Sequence, residues 1–224
     1  MPITEILEEN ARIYGDDVAL VELNPQALDG RHVTWREYSL IEPSRTDSFR
    51  SEITWDCFNR KANRMANLLL TRHIGKGRRV AVLLMNCLEW LPIYFGILKS
   101  GAVAVPMNFR YTAEEIKYCL ELADVDVLVF GPEFTGRVED ICDRIPGVKT
   151  LFYVGEDCPS FAESYNSLVS YCSSKSPEIP LSDDEDAAIY FSSGTTGFPK
   201  AILHAHRSLM HACKAEQNHH RQTR

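Results

Sequence analysis

The chain has 224 residues, and 45% of them are hydrophobic, which is enough for a packed core in one large domain or two small ones. Its 24 basic and 31 acidic residues give a formal net charge of −7, and no basic stripe is evident, which argues against a nucleic-acid-binding protein. Small neutral or anionic substrates stay open, because a local site can be positive on an acidic protein.

The cysteines and the apolar stretches predict a cytoplasmic protein without a membrane span. The seven cysteines form no Cys-x-x-Cys pair, and an odd number fits free thiols in a reducing cytosol better than a disulfide framework. Residues 1–10 lack the basic and apolar regions of a secretory signal. Glu89, Pro92 and Lys99 interrupt the most apolar region, residues 80–105, before about 18 apolar residues accumulate. We therefore expect this region to form soluble core.

The first quarter of the chain predicts one short helix, one strand and an irregular stretch. Thr4 is expected to cap a helix that runs to about Tyr14, and residues 18–23 are typical of a strand. Residues 24–53 are polar and irregular, so we interpret them as an insertion or surface excursion. They hold two similar tripeptides, and we expect the second, Ile53-Thr54-Trp55, to fill the strand before the next helix.

Thr54 is predicted to cap the first long helix, which extends to about His73. Its apolar residues recur at steps of three and four and form one stripe that should face the core: Phe58, Ala62, Met65, Ala66 and Leu69. Beyond this helix, apolar runs typical of buried strands alternate with helical segments. The predicted strands span residues 80–85, 102–105, 125–130 and 150–154.

Capping-box spacings predict where two of the intervening helices begin, with Asn86 paired to Glu89 and Thr112 paired to Glu115. A further helix is expected between Gly131-Pro132 and about residue 144. Strands that alternate with helices imply right-handed crossovers, which predicts a doubly wound α/β fold with a mainly parallel sheet and helices on both faces. No Gly-x-Gly-x-x-Gly sequence follows a strand, so a dinucleotide site is not predicted.

A polar connection, residues 157–186, is expected to hold one short helix near residues 163–171. Its acidic end, residues 183–186, is most simply a solvated approach to the next strand, and magnesium binding is the alternative. A helix is expected at about residues 208–217. The histidines near the end of the chain and Cys213 match no tetrahedral zinc spacing, so we assign them no metal.

The most informative stretch is the loop Tyr190–Lys200, with the sequence Tyr-Phe-Ser-Ser-Gly-Thr-Thr-Gly-Phe-Pro-Lys. Apolar runs on either side predict that it joins two strands. The loop combines side chains that can bind an anion with glycines that allow the backbone to approach a ligand closely. It has four hydroxyls, two glycines and one ammonium: Ser192, Ser193, Thr195, Thr196, Gly194, Gly197 and Lys200.

This combination suits a polyphosphate, because hydroxyl and backbone N–H donors can surround the oxygens while an ammonium offsets their charge. The spacing is not that of a Walker P-loop, since Pro199 rather than glycine precedes Lys200. The alternative is an ordinary hydroxyl-rich hairpin turn.

The residues Ser192–Lys200 resemble, position by position, the phosphate-binding loop of the adenylate-forming superfamily, which reads Ser/Thr-Ser-Gly-Thr/Ser-Thr/Ser-Gly-x-Pro-Lys-Gly. The departure is Ala201, where the family usually has glycine, and we expect it to alter nucleotide affinity at most. His206 resembles a histidine that commonly follows this loop, and a packing role or a ligand role are both open. The stretch 98–108 resembles a second, architectural motif of the family.

The resemblance implies an enzyme in which a carboxylate attacks the α-phosphorus of ATP and a thiol, usually coenzyme A, captures the acyl-adenylate. It implies that the loop hydroxyls and amides hold the leaving pyrophosphate, with Mg²⁺ bridging, and that Lys200 is the catalytic cation. Asn108 favours a CoA ligase over a carrier-protein adenylation domain, because acyl-CoA synthetases have Pro-x-Asn at this place. A non-catalytic nucleotide- or partner-binding module is the other alternative.

Complete members of the superfamily are more than twice as long, so the resemblance implies an N-terminal fragment. We expect the fragment to be inactive alone and to self-associate through apolar surface built to face other segments. We divide it into an N-terminal part with the insertion (1–53), an α/β subdomain (54–180), and the loop hairpin with its following helix (181–224).

Overall fold

The structure is a computed structural model that describes residues 1–23, 31–35, 38–42, 50–192 and 199–220, with backbone alone at 31–35 and 38–42. Its α-helices are α1 Thr4–Tyr14, α2 Trp55–Thr71, α3 Trp90–Lys99, α4 Ala113–Leu122, α5 Thr135–Glu139, α6 Tyr165–Ser170 and α7 His206–His219. Its strands are β1 Val18–Leu23, β2 Arg31–Trp35, β3 Tyr38–Glu42, β4 Arg50–Thr54, β5 Arg79–Leu83, β6 Val103–Pro106, β7 Val127–Phe130, β8 Thr150–Tyr153, β9 Glu163–Ser164, β10 Asp186–Ser192 and β11 Lys200–Ala205.

Among the described residues, the central sheet has seven strands in the order β11-β10-β6-β5-β7-β8-β9. Every neighbouring pair is parallel except β10 with β11, which are antiparallel. The chain passes from β5 to β6 on one side and then returns to β7 on the other side of β5. This reversal is characteristic of doubly wound sheets, and the predicted fold class is confirmed.

Alternate residues of the central strands face two separate cores, as the period of two in a strand requires. In β5, Val80 and Val82 pack with α2 and α3 in what we call the α2–α3 core. Ala81 and Leu83 face the opposite side and pack with α4 and α5 in the α4–α5 core. All four side chains are completely buried, so strand β5 is covered by helices on both faces.

Helices α2 and α3 lie in unusually close contact at Gly96. A Cβ atom added to this glycine would lie 2.5 Å from the Cβ of Met65 and 2.7 Å from the carbonyl oxygen of Ala62. Separations this short are not tolerated by real side chains, so the absence of a side chain at Gly96 sets how closely the helices approach. The apolar stripe predicted for α2 is confirmed, since its five residues are all buried.

The N-terminal part packs on these helices. Strands β1 and β4 form a two-stranded antiparallel sheet, and β4 leads directly into α2, as predicted for the second tripeptide. The Thr54 hydroxyl accepts a hydrogen bond from the Cys57 N–H at 3.2 Å and caps α2, as predicted. Strands β2 and β3 form a separate hairpin, and the remaining residues of the predicted insertion lie outside the described part of the chain.

Two predicted helix starts are wrong. Thr4 does not cap α1, because the helix already begins at Thr4 and no side chain caps it. Asn86 and Glu89 do not form a capping box, because α3 begins at Trp90 and the Glu89 carboxylate pairs with Lys61. The later start places Pro92 in the first turn, where its missing N–H costs no helical hydrogen bond.

The predicted box of Thr112 and Glu115 is confirmed at the start of α4, with both reciprocal hydrogen bonds present. The helix predicted between Gly131 and residue 144 is broken into 3₁₀ turns at Pro132–Phe134 and Cys142–Arg144 on either side of the short α5. In the described part of the chain, no helix combines the length and the apolar character needed to cross a membrane.

Candidate functional site

The predicted loop joins two antiparallel strands, as expected, and its two ends face each other. Ser192 is the last residue of β10, and its partner across the hairpin is Lys200, the first residue of β11. The predicted phosphate-binding residues between them, Ser193, Gly194, Thr195, Thr196 and Gly197, lie outside the described residues. The site assignment therefore stays a prediction, of which the structure describes the two flanking positions.

The hairpin places the two described ends of the loop, Ser192 and Lys200, at the edge of the sheet where open α/β proteins bind ligands. Strands β10 and β6 are parallel and pair at Ala188 and Ala104, so their carboxyl ends lie at the same edge. Ligands of such sheets bind outside the carboxyl ends of the strands. Ser192 ends β10 at this edge, and Asn108 follows the end of β6 by two residues.

Lys200 is exposed, and no ion pair joins it to another described residue. At the opposite end of the hairpin, where β10 begins and β11 ends, two other cations are matched with carboxylates. Lys76 pairs with Glu185 at 2.6 Å, and Arg207 pairs with Asp184. An exposed ammonium without a carboxylate partner is suited to neutralise an anionic ligand.

The acidic residues before β10 bind cations of this same chain. The Met1 ammonium lies 3.1 Å from Asp183 Oδ2 and lowers the pKa of that carboxyl group. A hydrogen bond from Lys76 likewise lowers the pKa of Glu185. Across the described ranges, no three His, Cys, Asp or Glu side chains are placed so that they could hold a metal ion. The pairing agrees with the interpretation of these acids as a solvated approach to the strand.

His206, the first residue of α7, is only 1% exposed. Its backbone N–H donates to the carbonyl of Glu185 at 3.0 Å, which fixes the start of the helix against the entry of β10. Burial lowers the pKa of the imidazole, and Nδ1 has no hydrogen-bond partner among the described residues. Of the two roles left open for His206, these contacts favour packing.

Sequence reasoning missed a contact between α3 and β10, the strand that leads into the loop. The hydroxyl oxygens of Tyr94 in α3 and Tyr190 in β10 lie 2.8 Å apart. Tyr94 is 6% exposed, and its ring stacks on Trp90 with the centroids 5.4 Å apart. The pair is 96 residues apart in sequence, so no local spacing could have indicated it.

The sequence of this chain matches one family model and the sequences of several known proteins. A model of the AMP-binding enzyme family matches residues 7–224. Over 185 residues the chain is 34% identical to the long-chain-fatty-acid–CoA ligase FadD13 of Mycobacterium tuberculosis. The match covers 82% of this chain and 35% of that protein. Over 214 residues the chain is 34% identical to the crotonobetaine/carnitine–CoA ligase of Salmonella agona, and this match covers 94% of this chain and 37% of that protein.

Among solved structures, the chain is similar to the anthranilate CoA ligase AuaEII in complex with anthranoyl-AMP. The TM-score is 0.77 at 26% identity, over 92% of this chain and 35% of that one. The chain thus spans about a third of the length of the curated relatives it matches, with 35% and 37% of the two relatives covered.

Proposed function

Because the chain belongs to the AMP-binding enzyme family, we propose that the whole protein is an AMP-forming acid–thiol ligase, an acyl-CoA synthetase. The observation that carries this proposal is the loop from Ser192 to Lys200. Its sequence is rich in phosphate-binding groups, and its two ends face each other at the carboxyl edge of the sheet. Both curated relatives described above are CoA ligases, which favours coenzyme A over a carrier protein as the acceptor.

The reaction begins when a carboxylate oxygen of the acid attacks the α-phosphorus of ATP and the bond from that phosphorus to the bridging oxygen breaks. Negative charge then grows on the departing pyrophosphate. The loop stabilises this charge through the hydroxyls and amides of the residues Ser192, Ser193, Gly194, Thr195, Thr196 and Gly197. Lys200 neutralises part of the charge on the pyrophosphate.

In the second step, the sulfur of coenzyme A attacks the acyl carbonyl carbon, and AMP leaves. Mg²⁺ is expected as the counterion of ATP, where it would neutralise phosphate charge. We assign it no protein ligand, since the acidic residues 183–185 precede β10, at the end of the strand opposite the loop, and pair with Met1, Lys76 and Arg207.

The acid substrate is expected to be a small or fatty carboxylic acid, in line with the names of the relatives. A cytoplasmic location is proposed on the seven cysteines, all of which are free thiols. Self-association of this chain through exposed apolar surface and its division at residues 53 and 180 stay predictions.

The test is pyrophosphate release by the whole gene product with MgATP and a panel of carboxylic acids, with and without coenzyme A. The proposal predicts release that depends on one class of acid and is accelerated by coenzyme A. Absence of release with every acid, from a protein shown to be folded, would reject the ligase and leave the nucleotide- or partner-binding module.

A further inference from the structure

The loop hairpin joins the parallel sheet along β6. Strands β10 and β6 pair at Ala188 and Ala104, and β10 pairs with β11 as far as Ser192. Because β6 ends at Pro106, Ser192 lies beyond the last residue of β6 in this register. A side-chain contact near this end of β10 adds to what the sheet itself fixes.

Tyr190 lies near this end of β10, two residues before Ser192. Its hydroxyl bonds to that of Tyr94 at 2.8 Å, and its ring meets that of His204 on β11 edge-on, with the centroids 5.4 Å apart. This side-chain hydrogen bond joins Tyr190 to a residue outside the hairpin, 96 positions away in the sequence. The contact links the two hairpin strands to α3.

Tyr94 is a rigid anchor for this contact. It belongs to the α2–α3 core and its ring contacts both Trp90 and Phe95. Burial raises the pKa of its hydroxyl, so the group stays protonated at physiological pH and remains a hydrogen-bond donor or acceptor. A buried hydroxyl on a packed ring has little freedom to move, so it can fix its partner in position.

The face of the hairpin that carries this contact is the face of the candidate site. Residues two apart in a strand share a face, so Tyr190 and Ser192 point to the same side of β10. Lys200 is directly opposite Ser192 in the antiparallel pair and shares that side. A displacement of Tyr190 would therefore move both flanking residues of the loop together.

We propose that Tyr94 and Tyr190 are positioning residues that hold the two ends of the phosphate-binding loop in place for ATP. This inference rests on the proposed function, because it assigns the loop to ATP. Neither tyrosine acts on the reacting atoms in this account. Their shared hydrogen bond fixes Ser192 and Lys200 relative to the parallel sheet.

The experiment compares Tyr94→Phe, Tyr190→Phe and the double variant of the whole gene product with Tyr165→Phe. Tyr165 is a matched control, because its side chain is also buried in the α2–α3 core but lies on α6. Each substitution removes one hydroxyl and keeps the ring. Pyrophosphate release gives KM for ATP and kcat, and thermal unfolding gives the stability of each variant.

We expect each single variant to raise KM for ATP about threefold to tenfold, the change that loss of one neutral hydrogen bond produces, with kcat unchanged. The double variant should be no worse than either single one, because both remove the same bond. Tyr165→Phe should lower stability without changing KM. An unchanged KM in Tyr94→Phe and Tyr190→Phe, or an equal rise in Tyr165→Phe, would overturn the inference.

Failure of the proposed function is distinguishable, because the wild type itself would then release no pyrophosphate. Amide hydrogen exchange of residues 189–192 and 200–203 decides the positioning claim in that case. Faster exchange in the Tyr94 and Tyr190 variants, but not in Tyr165→Phe, supports it. Exchange that is unchanged in those two variants overturns it.

Discussion

Strand β5 and strand β11 belong to one sheet, yet their surroundings are opposite. Four consecutive residues of β5 are fully buried between helices, whereas the first four residues of β11 are exposed, with Leu203 reaching 53%. Buried parallel strands supply stability, and exposed loops at their ends supply access for ligands. In this molecule, residues that set stability and residues proposed to bind ATP are therefore separate, and substitutions can test that separation.

The largest expected effect on stability comes from an isoleucine-to-alanine substitution, made once in the buried part of the fold and once in the exposed hairpin. Ile97→Ala in α3, whose side chain is completely buried, should lower the free energy of unfolding by about 2 to 5 kcal/mol. Ile202→Ala in β11, where the side chain is 45% exposed, should change it by less than about 0.5 kcal/mol. Urea unfolding of both variants measures the difference, and equal losses would contradict the comparison.

Lys200→Ala tests the hairpin side of the comparison. Loss of one charge-assisted hydrogen bond should weaken ATP use by roughly one to two powers of ten, measured as kcat/KM for ATP. Stability should not change, because Lys200 is exposed. Lys214→Ala is the control, since it removes the same charge from the exposed surface of α7. Equal losses in the two variants would point to net charge rather than to a site.

Gly96→Ala tests the close contact of α2 and α3. The new methyl group would clash with Met65 and with the backbone of Ala62, so we expect the free energy of unfolding to fall by about 1 to 3 kcal/mol. Gly136→Ala is the matched control in α5, where the added atom meets nothing within 4 Å. It should gain up to about 1 kcal/mol from helix propensity. Similar thermal shifts in both variants would refute the packing account.

The smallest effect concerns pH. Burial lowers the pKa of His206 in the folded protein, so the unfolded chain binds a proton more readily. The contribution of this group is present above its ordinary pKa of about 6.5 and is lost as the pH falls below that value. His206→Gln should therefore lose less stability than the wild type between pH 7 and pH 5.5, in urea unfolding at each pH.

Glu185 and Asp183 oppose the effect of burial, because both raise the pKa of His206. His211→Gln, at an exposed position of α7, is the control for this comparison. A His206→Gln variant with the same pH dependence as the wild type would show that burial of the imidazole does not govern this titration.

Local patterns predicted much of the fold. The strands and the α2 stripe follow from apolar periods that no tertiary contact overrides. The cap of Thr112 with Glu115 formed, whereas Asn86 with Glu89 did not, because Lys61 of α2, 28 residues away in the sequence, pairs with Glu89. A capping signal contains no information about such a partner.

The candidate site divides in the same way into a part that the sequence predicted and a part that it did not. The loop from Ser192 to Lys200 is contiguous in sequence, so its chemistry could be recognised from residue types alone. The contact of Tyr94 with Tyr190 depends on how α3 packs against β10. The buried side chain of Lys99 was treated as an interruption of an apolar run, yet it reaches Glu8 of α1 at 2.5 Å. Contacts between distant segments require the fold.

The most direct test of the account is acid-dependent exchange of labelled pyrophosphate into ATP by the whole gene product. This exchange reports formation of the acyl-adenylate and its reversal, and it needs no thiol. The account predicts exchange that requires a carboxylic acid, proceeds without coenzyme A, and falls roughly ten- to a hundredfold in Lys200→Ala but not in Lys214→Ala. Exchange that is absent with every acid, or undiminished in Lys200→Ala, would contradict it.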